Sequence, residues 1–280
     1  MLRIVTDTGS DITYLSAKER GMEIVELDIR FEEFPYDHRS DTDFSVFYEN
    51  LAKAKELPKT SQVTPAQYLD IYNDAREKGD EVLVVTLAGG MSGTYSSATM
   101  AKEECGYDGV TVIDSYHAIT SQRQITEYAV KLRDEGKSRQ EIEKELLELR
   151  EQIVMIAGLD TLTYLKKGGR VPPAMALIGN ALNLKPVVIL KQGVITPLAK
   201  VRGHSSVKRA ILEQFEKDGY DESWPVGFGH TNNPERGQAF MEEAKQKYGI
   251  KNCELYPVGG VIGTHAGPGG IVITYKKCAK

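Results

Sequence analysis

The chain has 280 residues, of which 41% are hydrophobic and 27% charged, and its formal net charge is −5. These values are typical of a globular protein, and the length predicts about two domains. No stretch approaches the roughly 20 apolar residues of a membrane-spanning helix. No basic stripe with interleaved aromatic side chains is present, which argues against nucleic-acid binding.

The first half of the chain alternates strand and helix patterns. Short β-branched runs predict strands at 2–5, 82–87 and 110–113, and alternating apolar residues predict one half-exposed strand from Val25 to Phe31. Apolar periodicity and capping residues predict helices at 44–55, 65–78, 94–105 and 117–135, and a further helix after the capping box Ser138-Arg139-Gln140-Glu141. This alternation builds a parallel sheet with ligand sites at the carboxyl ends of its strands.

The second half has a different pattern. It predicts strands at 153–158, 186–190, 194–201, 226–229, 255–258 and 270–275, and helices at 205–217 and 234–248. Because Lys191-Gln192-Gly193 turns the chain back as a hairpin, the second sheet is expected to be mixed or antiparallel. The predicted fold class is α/β, with an N-terminal domain at 1–152, a C-terminal domain at 153–280 and a ligand between them.

One loop stands out because it connects a buried strand to a helix. Gly89-Gly90-Met91-Ser92-Gly93-Thr94 follows the strand at 82–87. Such a loop points backbone N–H groups at one spot and favours an anion. It lacks the lysine of a Walker A loop and the spacing of a dinucleotide fingerprint or nucleophile elbow. Phosphate and carboxylate remain as candidate ligands, and the alternative is a tight turn whose glycines only provide positive φ.

Two further segments carry candidate binding groups. Thr60 and Ser61 precede the helix cap Thr64-Pro65-Ala66-Gln67, so their hydroxyls have no capping task and are expected to be free to donate. The segment from Gly259 to Gly270 is so rich in glycine that it predicts a loop with close backbone approach or a sharp bend. His265 in its middle can donate hydrogen bonds and titrates near neutrality, although a surface or core histidine is the alternative.

The spacing of the three cysteines and the N-terminal sequence indicate the cellular compartment of the protein. Cys105, Cys253 and Cys278 show no C-x-x-C spacing, which argues for a reducing environment and against zinc. Met1 leads directly into a strand-like run without the pattern of a signal peptide. We therefore expect a cytoplasmic protein with no metal and no cofactor.

Six segments are spread over the chain in a specific order. They are Val5-Thr6-Asp7, Thr60-Ser61-Gln62, Met91-Ser92-Gly93-Thr94-Tyr95, Leu159-Asp160-Thr161-Leu162, Leu165-Lys166-Lys167-Gly168-Gly169-Arg170 and Gly263-Thr264-His265-Ala266-Gly267-Pro268-Gly269. Together they resemble the DegV family of bacterial fatty-acid-binding proteins. Val63-Thr64-Pro65 departs from the Pro-Ser/Thr-Pro that is frequent in that family.

The resemblance implies a long-chain fatty acid lying between two α/β domains. Its carboxylate would be held by the hydroxyls of Thr60, Ser61 and Ser92, with Thr94 and His265 as further candidates. Some family members are the binding subunit of a fatty acid kinase, whose separate ATP-binding subunit phosphorylates the carboxylate for phospholipid synthesis. Arg170 and Arg202 match the basic positions of that step, although a solvated surface is the alternative for Arg170.

The expected protein is therefore a lipid carrier and not an enzyme, with a fatty acid, a kinase subunit and a transient membrane-surface contact as partners. Ala174, Ala176, Leu177 and Ile178 are candidates for the tunnel wall, with ordinary core packing as the alternative. Two other functions stay open. One is a small acyl hydrolase with Ser92 as nucleophile and His265 as base, and the other is a module that binds the phosphate of a small metabolite.

Overall fold

The computed structural model describes residues 1–41, 43–171, 175 and 184–278. Its strands in chain order are β1 (Leu2–Asp7), β2 (Met22–Val25), β3 (Asp28–Arg30), β4 (Lys59–Ser61), β5 (Glu81–Thr86), β6 (Val110–Asp114), β7 (Ile153–Gly158), β8 (Leu184–Lys191), β9 (Val194–Arg202), β10 (Val226–His230), β11 (Cys253–Pro257) and β12 (Ile271–Lys276). The described helices are α1 (Tyr14–Glu19), α2 (Ser45–Lys53), α3 (Pro65–Lys78), α4 (Thr94–Cys105), α5 (Ile119–Asp134), α6 (Arg139–Gln152), α7 (Thr163–Lys167), α8 (His204–Asp218), α9 (Pro234–Tyr248) and α10 (Gly260–Ala266).

The first half of the chain forms a parallel sheet of four strands in the order β2-β1-β5-β6. Successive residues of a strand point to opposite faces, so this sheet buries two sets of side chains. Val82 and Val84 pack with α3 and α4, whereas Leu83 and Val85 pack with α5 and α6. Helices on both faces of a parallel sheet agree with the predicted architecture of this half.

Capping residues fix the ends of two helices where the sequence predicts them. Thr64 and Gln67 form a capping box at the start of α3, and Gly79 ends that helix with φ of 68°. Ser138 and Glu141 form the corresponding box at the start of α6. These local hydrogen bonds satisfy backbone amides that the first helical turn leaves unpaired, so the sequence alone determines the helix starts.

The second half forms a mixed sheet of six strands in the order β11-β10-β12-β7-β8-β9. The β10–β11 pair is parallel, and the other neighbouring pairs are antiparallel. One face packs against α8 and α9 through residues such as Ile156, Ile211 and Phe240. Met155 and Val188 on the opposite face belong to a hydrophobic cluster shared with the first half. The predicted α/β fold class with two different sheets is confirmed, and the predicted domain boundary falls between α6 and β7.

The single strand predicted from Val25 to Phe31 is wrong. β2 ends at Val25 and pairs with β1, whereas β3 begins at Asp28 and pairs with β4. The alternation of buried residues continues through the break, since Leu27 and Phe31 are both buried. The sequence pattern therefore predicted correctly which side chains are buried. It did not indicate that the chain changes its pairing partner from β1 to β4, and β4 was not predicted.

The glycine-rich segment is also different from its prediction as a loop, because it contains the short helix α10. A Cβ on Gly260 would lie 2.6 Å from Phe47 Cδ2, and one on Gly263 would lie 2.8 Å from the Tyr48 hydroxyl. The Tyr48 hydroxyl also donates to the carbonyl of Val258 at 2.8 Å. These glycines therefore allow a helix of the second half to pack closely on α2 of the first half. Helices α1 and α7 were likewise not predicted.

Candidate functional site

A cavity of about 340 Å³ lies between the two sheets and is lined by both halves of the chain. Its volume falls within the range of small-molecule sites. Leu87 follows the carboxyl end of β5 and Ile119 begins α5, so this edge of the parallel sheet faces the cavity as expected. The wall in the second half is formed by side chains from β7, β8 and β12, namely Met155, Ala157, Val188, Leu190 and Val272.

These wall residues were not predicted, although a signal for them exists. Met155 and Ala157 alternate along β7 with Val154 and Ile156, which pack on α8 and α9 instead. The period of two assigns alternate residues to opposite faces of the sheet. The sequence contains this alternation, but it does not show that one face borders a cavity. The predicted wall residues Ala174, Ala176, Leu177 and Ile178 lie outside the described residues.

Most of the polar lining residues gather at one end of the cavity, around Thr60, Ser92 and His265. The Thr60 hydroxyl contacts His265 Nε2 at 2.9 Å. The Val63 amide reaches Thr94 Oγ1 at 3.4 Å, and Thr94 Oγ1 lies 2.9 Å from the Ser92 hydroxyl. The segments around residues 60, 92 and 265 are therefore joined by side-chain contacts, and Ser61 and Gln62 line the cavity beside them. We name Thr60, Ser61, Gln62, Ser92 and His265 the polar mouth.

Thr94 has a different position from the other predicted hydroxyls. Its side chain is completely buried and is not among the residues that line the cavity. The Thr94 amide lies 3.3 Å from the Ser92 hydroxyl, which also contacts the Thr94 hydroxyl. Thr94 therefore holds the Ser92 side chain in place, and Ser92 is the hydroxyl that reaches the cavity.

His265 lies in the last turn of α10 with its imidazole at the polar mouth. Burial and the nearby charge of Arg170 lower its pKa to about 4, so the ring is neutral at pH 7. Its Nδ1 atom is buried and makes no hydrogen bond within the described part of the chain. The Thr60 hydroxyl was expected to have no partner, but it contacts this imidazole from 205 residues further along the chain, and the tautomer of His265 decides which of the two groups donates.

The two predicted basic residues differ in their position relative to the cavity. Arg170 is exposed but lines the cavity, and it donates to the Gly168 carbonyl at 2.8 Å and to the Met91 carbonyl at 3.5 Å. Arg170 therefore connects the loop after α7 with the Ser92 loop at the polar mouth. Arg202 ends β9, is exposed and does not line the cavity.

The glycines of the Ser92 loop allow close packing and do not provide positive φ. Gly89, Gly90 and Gly93 are absent from the residues with positive φ. A Cβ on Gly90 would lie 2.5 Å from the Gly193 carbonyl oxygen, and one on Gly93 would lie 1.9 Å from Gln62 Oε1. The loop is therefore packed against the β8–β9 hairpin and the segment after β4. The N-cap residue of α4 is Gly93, which has no side chain to cap the helix, and the Thr94 amide of the first turn donates to the Ser92 hydroxyl at 3.3 Å.

The hydrolase alternative requires a hydrogen bond from Ser92 to His265. The described contacts instead pair Ser92 with Thr94 and His265 with Thr60. Within the described part of the chain no carboxylate orients the imidazole, because Nδ1 makes no hydrogen bond there. Among the described residues, no group of three or more His, Cys, Asp or Glu side chains is placed to hold a metal ion. No helix within those residues is long and apolar enough to cross a bilayer.

The fold and the cavity define an α/β protein with two packed sheets and a largely apolar cavity between them. A family model described as an uncharacterised protein of the DegV family matches residues 1–277. A DegV domain-containing protein of Caldanaerobacter subterraneus is 31% identical over 268 residues, which cover 95% of each chain.

Two solved structures extend the likeness. The first is a DegV family protein from Thermus thermophilus that is described as binding fatty acid. It has a TM-score of 0.88 at 28% identity, and the match covers 98% of this chain and 99% of that chain. The second, a DegV family protein from Eubacterium eligens loaded with heptadecanoic acid, has a TM-score of 0.84 at 26% identity, with 99% and 100% covered. The chain belongs to the DegV family.

Proposed function

We propose that the chain binds a long-chain fatty acid in the cavity between the sheets. The carboxylate lies at the polar mouth, near Thr60, Ser61, Ser92 and His265, and the acyl chain extends along the apolar wall. The observation that carries this proposal is the unequal lining of the cavity, with polar groups gathered beside an exposed arginine and aliphatic groups elsewhere. The relatives described as binding fatty acids support the same assignment.

The acyl chain supplies most of the affinity in this arrangement. Burial of one methylene is worth about 0.8 kcal/mol, so a sixteen-carbon chain gains roughly 12 kcal/mol before costs. Ordering of the chain and loss of free motion consume several kcal/mol of that gain. A charge-assisted hydrogen bond at the carboxylate adds about 1.5–3 kcal/mol. The polar mouth therefore determines which end of the ligand faces outward.

The exposed position of Arg170 supports a role for the bound carboxylate as the substrate of a partner kinase. In that reaction a carboxylate oxygen attacks the γ-phosphorus of ATP, ADP leaves, and an acyl phosphate forms. The partner supplies ATP, and this chain supplies an oriented carboxylate with Arg170 beside it. We assign Arg202 to the partner-facing surface, and we place the protein in the cytoplasm because all three cysteines are free. A transient contact with a membrane surface would complete the transfer of the fatty acid.

The first experiment is native mass spectrometry of the protein expressed in bacteria, which should show an added mass in the fatty-acid range. Titration with palmitate then compares Ser92→Ala and Thr60→Val with the wild type. Each substitution should weaken binding at least tenfold, because each removes one hydrogen bond to a charged group. Ser96→Ala is the matched control, since Ser96 is an exposed residue of α4 outside the cavity. An empty protein, or unchanged affinity in both variants, would refute the assignment.

A further inference from the structure

The negative charge of the chain is concentrated in one short segment beside the polar mouth. Residues 26–43 contain seven acidic residues (Glu26, Asp28, Glu32, Glu33, Asp37, Asp41 and Asp43) and two arginines (Arg30 and Arg39). Burial lowers the pKa of His38, so this histidine adds no positive charge near neutral pH. The net charge of the segment is therefore −5, which equals that of the whole chain, so the other residues sum to zero.

This segment borders the entrance of the cavity. An open groove of about 610 Å³ is lined by Glu26, Asp28 and Asp37, and it shares Ser61 and Gln62 with the apolar cavity. Asp28 and Ser61 are direct partners in the β3–β4 pairing. A molecule that fills the groove would therefore contact the same residues that border the polar mouth.

Ion pairs within the protein neutralise only part of this charge. Arg39 pairs with Glu26, and Arg30 lies 3.8 Å from Asp28, but both arginines are already counted in the segment. Lys59 adds one positive charge from outside the segment by pairing with Glu32 at 3.1 Å.

Asp41 makes no surface contribution, because it is buried and accepts hydrogen bonds from the Tyr36 hydroxyl and the Phe47 amide. With Lys59 added and Asp41 left out, a net charge of −3 remains at the surface, and Asp43, just before α2, carries one unit of it. We name Glu26, Asp28, Glu32, Glu33 and Asp37 the acidic surface.

We infer that the acidic surface docks a lysine- and arginine-rich surface of the ATP-using partner. This inference rests on the proposed function and adds to it the place and the charge of the contact. Arg170 lies at the same mouth, so a partner meets negative charge in the groove and positive charge at this arginine. Opposite charges in fixed positions accelerate encounter and select one orientation of two proteins. The docked partner would thus bring its ATP to the carboxylate in a single orientation.

The test compares two charge-reversal variants that change the net charge equally. Asp28→Lys/Asp37→Lys alters exposed residues of the groove, and Glu103→Lys/Glu213→Lys alters exposed residues outside it. The probe is the purified ATP-binding subunit of a bacterial fatty acid kinase, and the association constant is measured by biolayer interferometry at 50 and 300 mM NaCl. The groove variant should bind at least tenfold more weakly at low salt, and the difference should shrink at high salt because salt screens exposed charges.

The control variant should bind the kinase subunit within twofold of the wild type. Equal binding by wild type and groove variant, equal weakening by both variants, or no binding by the wild type would each overturn the inference. Palmitate affinity is measured on the same samples. If palmitate binds normally while any of these outcomes occurs, the docking surface is wrong and the fatty-acid site stands. If palmitate does not bind to the wild type, the proposed function itself fails.

Discussion

The two regions of the cavity are built in different ways. The polar mouth comes from short or irregular pieces, which are β4, the loop after β5, the last turn of α10 and the loop after α7. The apolar wall in the second half comes from long neighbouring strands, β7, β8 and β12, whose alternate residues share one face. A scaffold of strands is rigid, whereas loops can vary without loss of the fold. In the proposed complex, the wall therefore determines the affinity and the preferred acyl-chain length, and the mouth determines the orientation of the carboxylate.

The largest expected effect on palmitate affinity comes from a bulky side chain that fills the cavity beside the apolar wall. Ala157 lines the cavity and is 7% exposed, so Ala157→Phe places a ring where the acyl chain is proposed to lie. Palmitate binding should fall at least a thousandfold, because the ring displaces several methylenes. Isothermal titration calorimetry measures the loss, and Ala52→Phe on the exposed side of α2 is the matched control. Full affinity in Ala157→Phe would show that the ligand lies elsewhere.

The length of the fatty acid tests the contributions of the apolar wall and the polar mouth without any mutation. Palmitate and laurate have the same carboxylate and differ by four methylenes, so the contacts at the polar mouth are unchanged. The expected difference is roughly 3 kcal/mol, which corresponds to about a two-hundredfold weaker binding of laurate. Competition with a fluorescent fatty acid measures both constants. Equal affinities would mean that the mouth, and not the wall, dominates binding.

Acid should destabilise the polar mouth through His265. Its pKa falls from 6.5 to about 4 in the folded protein, so the unfolded chain takes up a proton first as the pH drops. The contribution of the neutral His265 imidazole to the free energy of unfolding is fully present above pH 6.5 and is lost progressively toward pH 4. At pH 5 the loss is about 2 kcal/mol.

Urea unfolding at pH 7 and pH 5 should show this loss in the wild type and a correspondingly smaller loss in His265→Gln. His204→Gln is the comparison variant, because that histidine is half-exposed and outside the cavity; burial lowers the pKa of His204 as well, so His265→Gln must reduce the loss more than His204→Gln does. A His265→Gln variant whose stability falls with pH as steeply as that of the wild type would contradict the burial of a neutral imidazole at the mouth.

The smallest expected effect is indirect. A Cβ on Gly168 would lie 2.2 Å from His265 Nδ1, so Gly168→Ala forces the imidazole to move away from Thr60. Gly168 has φ of −80°, a value that alanine adopts without strain. Palmitate affinity should fall about tenfold through the loss of one hydrogen bond at the carboxylate. Gly136→Ala is the control for general strain, because Gly136 has φ of 80° and does not line the cavity. Equal losses of palmitate affinity in both variants would argue against the effect.

The sequence predicted the elements whose ends are determined locally. The ends of α3 and α4 were predicted correctly, because Thr64, Gln67 and the glycines after each helix act within one turn. It did not predict α10, since glycine is normally unfavourable in helices and only the approach to Phe47 and Tyr48 explains Gly260 and Gly263. The break after Val25 was missed for the same reason, because β3 depends on pairing with β4.

The candidate site divides in a similar way. Thr60, Ser61, Ser92, Arg170 and His265 were selected from sequence, and all of them line one cavity. Thr94 was selected with them but lies behind Ser92, because its place next to Ser92 does not determine which hydroxyl faces the cavity. The pairing of Thr60 with His265 joins distant parts of the chain, so no local pattern could indicate it.

The proposed complex has the carboxylate of a fatty acid at the polar mouth and its acyl chain along the apolar wall. A crystal structure of the protein with heptadecanoic acid tests this most directly, because the two ends of the ligand are distinguishable in electron density. We expect carboxylate oxygens within hydrogen-bond distance of Ser92 and of Thr60 or His265, and the terminal methyl group among Met155, Val188 and Val272. A reversed ligand, or density outside the cavity, would contradict it.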